Sequence, residues 1–315
     1  MEEKRPRTPT AFQKAMKWLK PIYIAAALFF LARYLFQNYE AIRALQISLD
    51  WPVLALSMVT YLLYKLTLAW LFHYITRLDR CDIPVREALP AYLYSVLGKY
   101  IPGKVFMLAA RFPSYQRHQK RLSDVSVCFL IENGCTLLGA AFLFLLSLLF
   151  FPNDLLVQYQ LVVMAFIALF FICLNPKIIN WVLHWFGRLF KRTNDVSIPI
   201  TYPQMIKLVM LFIVNWLIVG TGFYVLIRSI YPIPLSQMLY AGGVFALSSI
   251  IGILAFFAPS GIGVREGIMI LGLSFIMPQE YAVIISVVSR LWATVSELLL
   301  IGCAAIFIRA RKSKT

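Results

Sequence analysis

Apolar runs of about 18 to 25 residues, separated by short basic or proline-containing stretches, recur along this chain, and a helix of that length crosses roughly 30 Å of hydrocarbon. The stretch Ala141 to Phe151 carries no charge and no alternation of polarity. A transmembrane β-barrel needs segments of about ten residues that alternate polar with apolar, so it does not fit. Helices satisfy their own backbone donors and acceptors in lipid and need no such alternation. Composition agrees: 61% of residues are hydrophobic and 14% charged, against about a quarter charged in soluble domains. The expected fold is an all-α polytopic membrane protein.

The formal charge of +16 would suggest nucleic acid in a soluble chain, but here the basic residues sit where membrane topology needs them. Lys4, Arg5, Arg7, Lys14, Lys17 and Lys20 precede the first apolar run, and Arg309, Arg311, Lys312 and Lys314 follow the last. The first run follows this basic leader without a convincing cleavage site, so it reads as a retained helix. Spans are expected near 20–36, 51–74, 126–151, 157–175, 205–228, 239–258, 262–277 and 281–308. The connections bearing Arg77, Arg80 and Arg86, then Arg111, Arg117, Lys120 and Arg121, then Lys177, Arg188, Lys191 and Arg192 fall on one side, predicted cytoplasmic with both termini. The whole of 1–315 reads as one integral membrane domain with a basic leader at 1–19 and a basic tail at 309–315.

A moderately apolar stretch at 88–110 has basic flanks at both ends, so a further crossing would break the alternation. It reads as a re-entrant hairpin, added to about eight transmembrane helices. Its centre, Gly98-Lys99-Tyr100-Ile101-Pro102-Gly103-Lys104, combines a proline that removes a backbone donor with glycines that permit a turn. Such a turn must be covered by protein or line a wet cavity. The simpler reading is an interfacial helix whose lysines reach the headgroups.

A second interruption, Ala258-Pro259-Ser260-Gly261-Ile262-Gly263-Val264-Arg265-Glu266-Gly267, divides a strongly apolar region and leaves a loop and a short or half helix over 259–277. Arg265 and Glu266 fall in its first turn, where a carboxylate is favoured by the helix end and a guanidinium suits phosphate. A surface loop with an ordinary ion pair is the plain alternative. Ionisable residues inside spans are costly unless paired or hydrated. They are Glu132, Arg290 and Glu297, with Lys65 read as a snorkelling structural residue. Arg290 and Glu297, seven apart, share one helix face. They suit either an internal salt bridge or a gating pair beside a polar cavity.

Two broken elements in opposite halves are the sequence pointer to a transporter with a central site. Two inverted halves fit that spacing, although no residue-level repeat establishes them. Cys81, Cys128, Cys135, Cys173 and Cys303 form no CxxC pair, and His73, His118 and His184 are isolated, so neither a metal nor any other cofactor is expected.

Together, Gly98 through Arg111, the Glu132 segment, Pro259-Ser260-Gly261-Ile262-Gly263-Val264-Arg265-Glu266 and Arg290-Leu291 resemble the membrane region of lysylphosphatidylglycerol synthases and stand-alone flippase-like proteins of that superfamily. The resemblance covers nearly the whole chain, and the loop ending in Arg265-Glu266 is its most specific part. The family pattern often has Glu-Arg where this chain has Glu132-Asn133, and commonly Pro-Gly-Gly where it has Pro259-Ser260-Gly261.

The resemblance implies handling of an anionic lipid in a prokaryotic cytoplasmic membrane. Aminoacyl transfer is not expected of this membrane region by itself, and no P-loop occurs in it. The leading expectation is flippase-like movement of a phospholipid or polyprenyl-phosphate headgroup. Lys99, Lys104, Arg111, Arg265 and Arg290 are its headgroup candidates; Glu132, Glu266 and Glu297 balance charge or gate; and Gly98, Pro102, Gly103, Pro259, Ser260, Gly261 and Gly263 set the loops. The alternatives are an intramembrane lipid-modifying enzyme, such as a lipid-linked glycosyl transferase or phosphatase, and a lipid-binding scaffold for a lipid-modifying enzyme partner. Nucleic acid is not an expected partner.

Overall fold

The computed structural model describes residues 49–100, 105–151, 160–173, 200–255, 261 and 263–312. These form nine α-helices: α1 (Trp51–Leu78), α2 (Val85–Ser95), α3 (Val105–Gln116), α4 (Leu122–Leu149), α5 (Gln160–Cys173), α6 (Tyr202–Arg228), α7 (Met238–Leu254), α8 (Val264–Leu273) and α9 (Gln279–Lys312). Single 3-10 turns at Val96–Tyr100 and Leu235–Gln237 extend α2 and lead into α7. Among the described residues, five segments are long and apolar enough to cross a membrane: Trp51–Leu78, Leu122–Leu149, Tyr202–Arg228, Leu235–Leu254 and Gln279–Ala305.

Of the other three expected spans, 20–36 lies outside the described residues. The described part of 157–175 is the 14-residue α5. Of the two readings of 262–277, a full span and a short or half helix, α8 with its ten residues fits the second: about 15 Å of helix covers only half of a bilayer core.

Helix ends are fixed locally. Asp50 caps α1, its Oδ1 accepting from Val53 N at 3.2 Å, with Pro52 in the first turn. At the other end Arg80 takes φ 54°, while Arg80 N donates to Arg77 O and Cys81 N to Thr76 O. That is a Schellman cap with arginine in the left-handed position glycine usually fills. Gln119 at φ 57° closes α3 in the same way, through Gln119 N to Gln116 O and Lys120 N to Tyr115 O. The Lys120 ammonium then donates to Arg80 O at 3.2 Å, joining the two caps.

α6 is the hub, packed against α1, α4, α7 and α9, while α4 also packs against α7. The core is dominated by aliphatic and aromatic residues such as Phe72, Leu143, Phe212, Phe223 and Ile227, all fully buried. α2 and α3 pack together, α2 also against α1 and α9 and α3 against α4; the turn expected at the centre of 88–110, residues 101–104, lies outside the described residues. The close approach of α2 and α3 requires Gly98. A Cβ there would lie 2.8 Å from Met107 N.

The α7–α8 junction is tighter. Gly261, at φ 68°, sits so close to α7 that a Cβ on it would be 2.6 Å from the Gly252 Cα. Only glycine combines that conformation with that contact. Its packing on Gly252 brings the α8 N-terminus against α7, with Arg265 Cβ in the contact distance a Gly252 Cβ would make, 3.2 Å.

Candidate functional site

Three ion pairs and one further cation occupy the interior between the hairpin and the α7–α8 junction. At the hairpin end, Arg111 of α3 is fully buried. Its Nη1 lies 2.5 Å from Glu132 Oε2, and its Nε donates to Ser95 Oγ at 2.7 Å. Tyr92 OH donates to Glu132 Oε1 at 2.7 Å. The guanidinium carbon also lies 4.2 Å from the Phe72 ring centroid and 4.1 Å from that of Tyr92. Aromatic faces and a bidentate carboxylate suit arginine better than lysine.

Sequence reasoning left Glu132 without a neighbouring arginine because Asn133 follows it. The structure supplies the cation from α3 instead, twenty-one residues away. Asn133 turns its Nδ2 back onto Phe129 O at 2.7 Å. Arg111, expected at a headgroup, is engaged inside the protein here by Ser95 and Glu132.

In the middle, Lys65 Nζ of α1 lies 3.0 Å from Glu297 Oε1 of α9, and Tyr61 OH donates to the same oxygen at 2.9 Å. Lys65 also sits over the Tyr61 and Tyr64 rings, 5.5 and 5.2 Å from their centroids. It is not a snorkelling side chain: its ammonium is turned inward to a carboxylate that is 3% exposed. Glu297 and Lys65 both being ionisable within spans was the signal for this pair.

At the far end, Glu266 links three elements. Its Oε2 accepts from Gly263 N at 2.7 Å, satisfying a donor at the start of α8. Its Oε1 receives Arg290 Nε of α9. Thus the two arginines expected to act together are held differently. Arg290 pairs with Glu266, whereas Arg265 Nε and one terminal nitrogen are buried without a hydrogen-bond partner. The Arg265 guanidinium stacks 4.7 Å from the Phe245 centroid.

The clusters follow one another through aromatic residues: Tyr92 hydrogen-bonds Glu132, Tyr61 hydrogen-bonds Glu297, and Tyr61 and Tyr64 flank the Lys65 ammonium. Across this network stand Arg111, Lys65, Arg265 and Arg290 against Glu132, Glu297 and Glu266. Among the described residues, four cations face three carboxylates, and the cation without a carboxylate partner, Arg265, lies at the start of α8.

The space described beside the middle ion pair is not the open polar cavity expected. Beside Lys65 and Glu297 the space lined by Leu93, Val96, Leu300 and Ile301 is closed to a water molecule. Lys99 lies in the 3-10 turn Val96–Tyr100. Lys104, Pro102, Gly103, Pro259 and Ser260 fall outside the described residues.

The sequence pattern of the lysylphosphatidylglycerol synthase TM region matches residues 18–302. This chain belongs to that family. None of the curated proteins compared with it matches significantly. Membership in the lysylphosphatidylglycerol synthase TM family, with five apolar helices, makes it an integral membrane protein with a lipid-related role. The Arg265-Glu266 loop, Glu132 and Arg290 are the positions through which this family member organises its buried charge.

Proposed function

We propose that this protein moves the headgroup of an anionic lipid, a phospholipid or a polyprenyl-phosphate-linked lipid, across the membrane. The observation that carries the reading is Arg265: a guanidinium with buried nitrogens lacking hydrogen-bond partners, beside the break between α7 and α8. An unsatisfied buried cation is costly in a membrane interior, and a phosphate oxygen arriving there completes its hydrogen bonds.

In this mechanism the closed network is the resting arrangement. A headgroup entering between the hairpin and the Arg265 loop neutralises the surplus charge. Glu266 then shares Arg290 with the incoming phosphate, and Lys65–Glu297 resets as the helices part. Lys99 and Lys104 make the first contacts at the hairpin, while Arg111–Glu132 anchors its arms. The acyl or polyprenyl chains stay in lipid, as their apolar surface requires. Gly98, Pro102, Gly103, Pro259, Ser260, Gly261 and Gly263 shape the two turns between which the headgroup passes.

The test is reconstitution into sealed liposomes with a panel of phosphatidylglycerol, phosphatidylethanolamine and polyprenyl-phosphate lipids, read by headgroup accessibility. Protein-dependent appearance of an anionic headgroup on the opposite leaflet supports translocation. Covalent conversion of the lipid in detergent, where sidedness is lost, would replace this reading with an intramembrane enzyme.

A further inference from the structure

We propose that Asp79, Cys81 and Cys128 form a binding site for a thiophilic divalent cation of the zinc type, at the base of the α2–α3 hairpin. Cys81 Sγ lies 3.3 Å from Cys128 Sγ, and Cys128 Sγ lies 3.5 Å from Asp79 Oδ2. All three donor atoms fall within 4.8 Å of one another. Zinc bonds of about 2.3 Å to sulfur and 2.0 Å to oxygen, arranged tetrahedrally, separate two sulfurs by about 3.8 Å and a sulfur from an oxygen by about 3.5 Å. The Asp79–Cys128 distance already fits. The sulfurs need to part by only about 0.5 Å, within ordinary rotamer adjustment.

The backbone builds this arrangement. The Schellman cap at Arg80 reverses the chain after α1 and sends Cys81 inward, where it is 2% exposed against a fully buried Cys128. Asp79 is only partly buried, so it offers the access route and leaves room for a solvent ligand in the fourth position.

The donor set selects the ion. Two sulfurs favour zinc-like cations over magnesium or calcium, which take oxygen. Binding converts both thiols to thiolates and releases two protons to solvent, with the carboxylate entering ionised. Two thiolates, one carboxylate and a dication leave one negative charge. Arg77, Arg80, Lys120 and Arg121, placed on the surrounding caps, offset it. Cys81 precedes α2 and Cys128 lies in the second turn of α4, so the ion ties together the two ends of the hairpin.

The experiment uses the full chain in detergent. Zinc is added, free ion is removed by dialysis, and bound zinc is measured per chain, alongside cadmium titration read by thiolate charge-transfer absorption. A single ion per folded chain is expected, with Cys81→Ser and Cys128→Ser each weakening binding at least about tenfold and Asp79→Asn about tenfold. Cys303→Ser, at an exposed cysteine elsewhere, leaves binding unchanged. Should the serine variants fail to fold, cadmium titration of the wild-type chain decides: thiolate charge-transfer absorption must saturate at one ion per chain and be reversed by zinc. Substoichiometric zinc, binding unaffected by the substitutions of a folded variant, or no saturable thiolate absorption overturns the proposal.

Discussion

Arg111 and Glu132 meet with Nη1 2.5 Å from Oε2, and they join the hairpin arm α3 to the long helix α4. The pair is buried on all sides, with Ser95 and Tyr92 taking further hydrogen bonds. Its position fixes where the hairpin can sit, and hence how close the Gly98 turn comes to the interior charges on α1 and α9. The same logic recurs at Glu266, which ties α8 to α9. In each case a carboxylate on one helix determines the placement of a neighbouring broken element.

Removing either member of the Arg111–Glu132 pair leaves a buried charge without its partner. Arg111→Ala and Glu132→Ala are each expected to destabilise the protein by about 3 to 5 kcal/mol. The double variant Arg111→Ala with Glu132→Ala is expected to lose less than the sum of the two, because neither charge is stranded. Thermal unfolding of the four proteins in one detergent gives the coupling. Strict additivity would mean that the two side chains act independently.

The Lys65–Glu297 pair should show a smaller, graded response. Tyr61→Phe removes one hydrogen bond to a carboxylate that keeps its ammonium partner, and a loss of about 1.5 to 3 kcal/mol is expected. Lys65→Met strands Glu297 and costs more. The ordering is checked by denaturation in mixed micelles. Equal losses from the two variants would place the tyrosine and the lysine on the same footing, contrary to the geometry.

Glycine substitutions separate loop geometry from helix propensity. Gly261→Ala places a methyl group 2.6 Å from Gly252 Cα at a positive φ, and it is expected to displace the Arg265 loop and abolish lipid movement. Gly267→Ala, three residues inside α8, meets nothing within 4 Å and should stabilise by about 0.5 to 1 kcal/mol. Activity and melting temperature measured on both variants test the contrast.

The long apolar helices and the separation of α7 from α8 were legible in the sequence because hydropathy and Pro-Gly composition are local signals. So was the half-length of α8, whose apolar run ends at Pro278. Pairing was not legible. Glu132 finds Arg111, Glu297 finds Lys65, and Cys81 finds Cys128 at a separation of 47 residues. These partners lie on different helices and obey no fixed spacing. Lys65 was misread because a long side chain can either snorkel or turn inward. Only the carboxylate on α9 decides which. A count of charges within spans would have indicated that each carboxylate needed a cation, without naming it.

The last prediction concerns Arg265. If its buried guanidinium receives the headgroup phosphate, Arg265→Ala removes a charge-assisted contact of about 1.5 to 3 kcal/mol, and headgroup movement should fall about tenfold to a hundredfold. Unlike Arg111→Ala, it should cost little stability, because no carboxylate depends on Arg265 for its hydrogen bonds: Glu266 retains Gly263 N and Arg290. Stability is expected to hold or rise, since an incompletely satisfied buried cation is gone. Arg265→Lys tests the planar fork: it keeps the charge but loses bidentate contact and stacking on Phe245, so recovery should be partial. Arg290→Lys is the companion variant, expected to lose both stability and movement because it disturbs Glu266. Liposome accessibility and melting temperature are read on the same preparations. A large loss of stability in Arg265→Ala would assign the guanidinium to structure rather than to lipid. Full movement in a stable Arg265→Ala would remove it from the headgroup path.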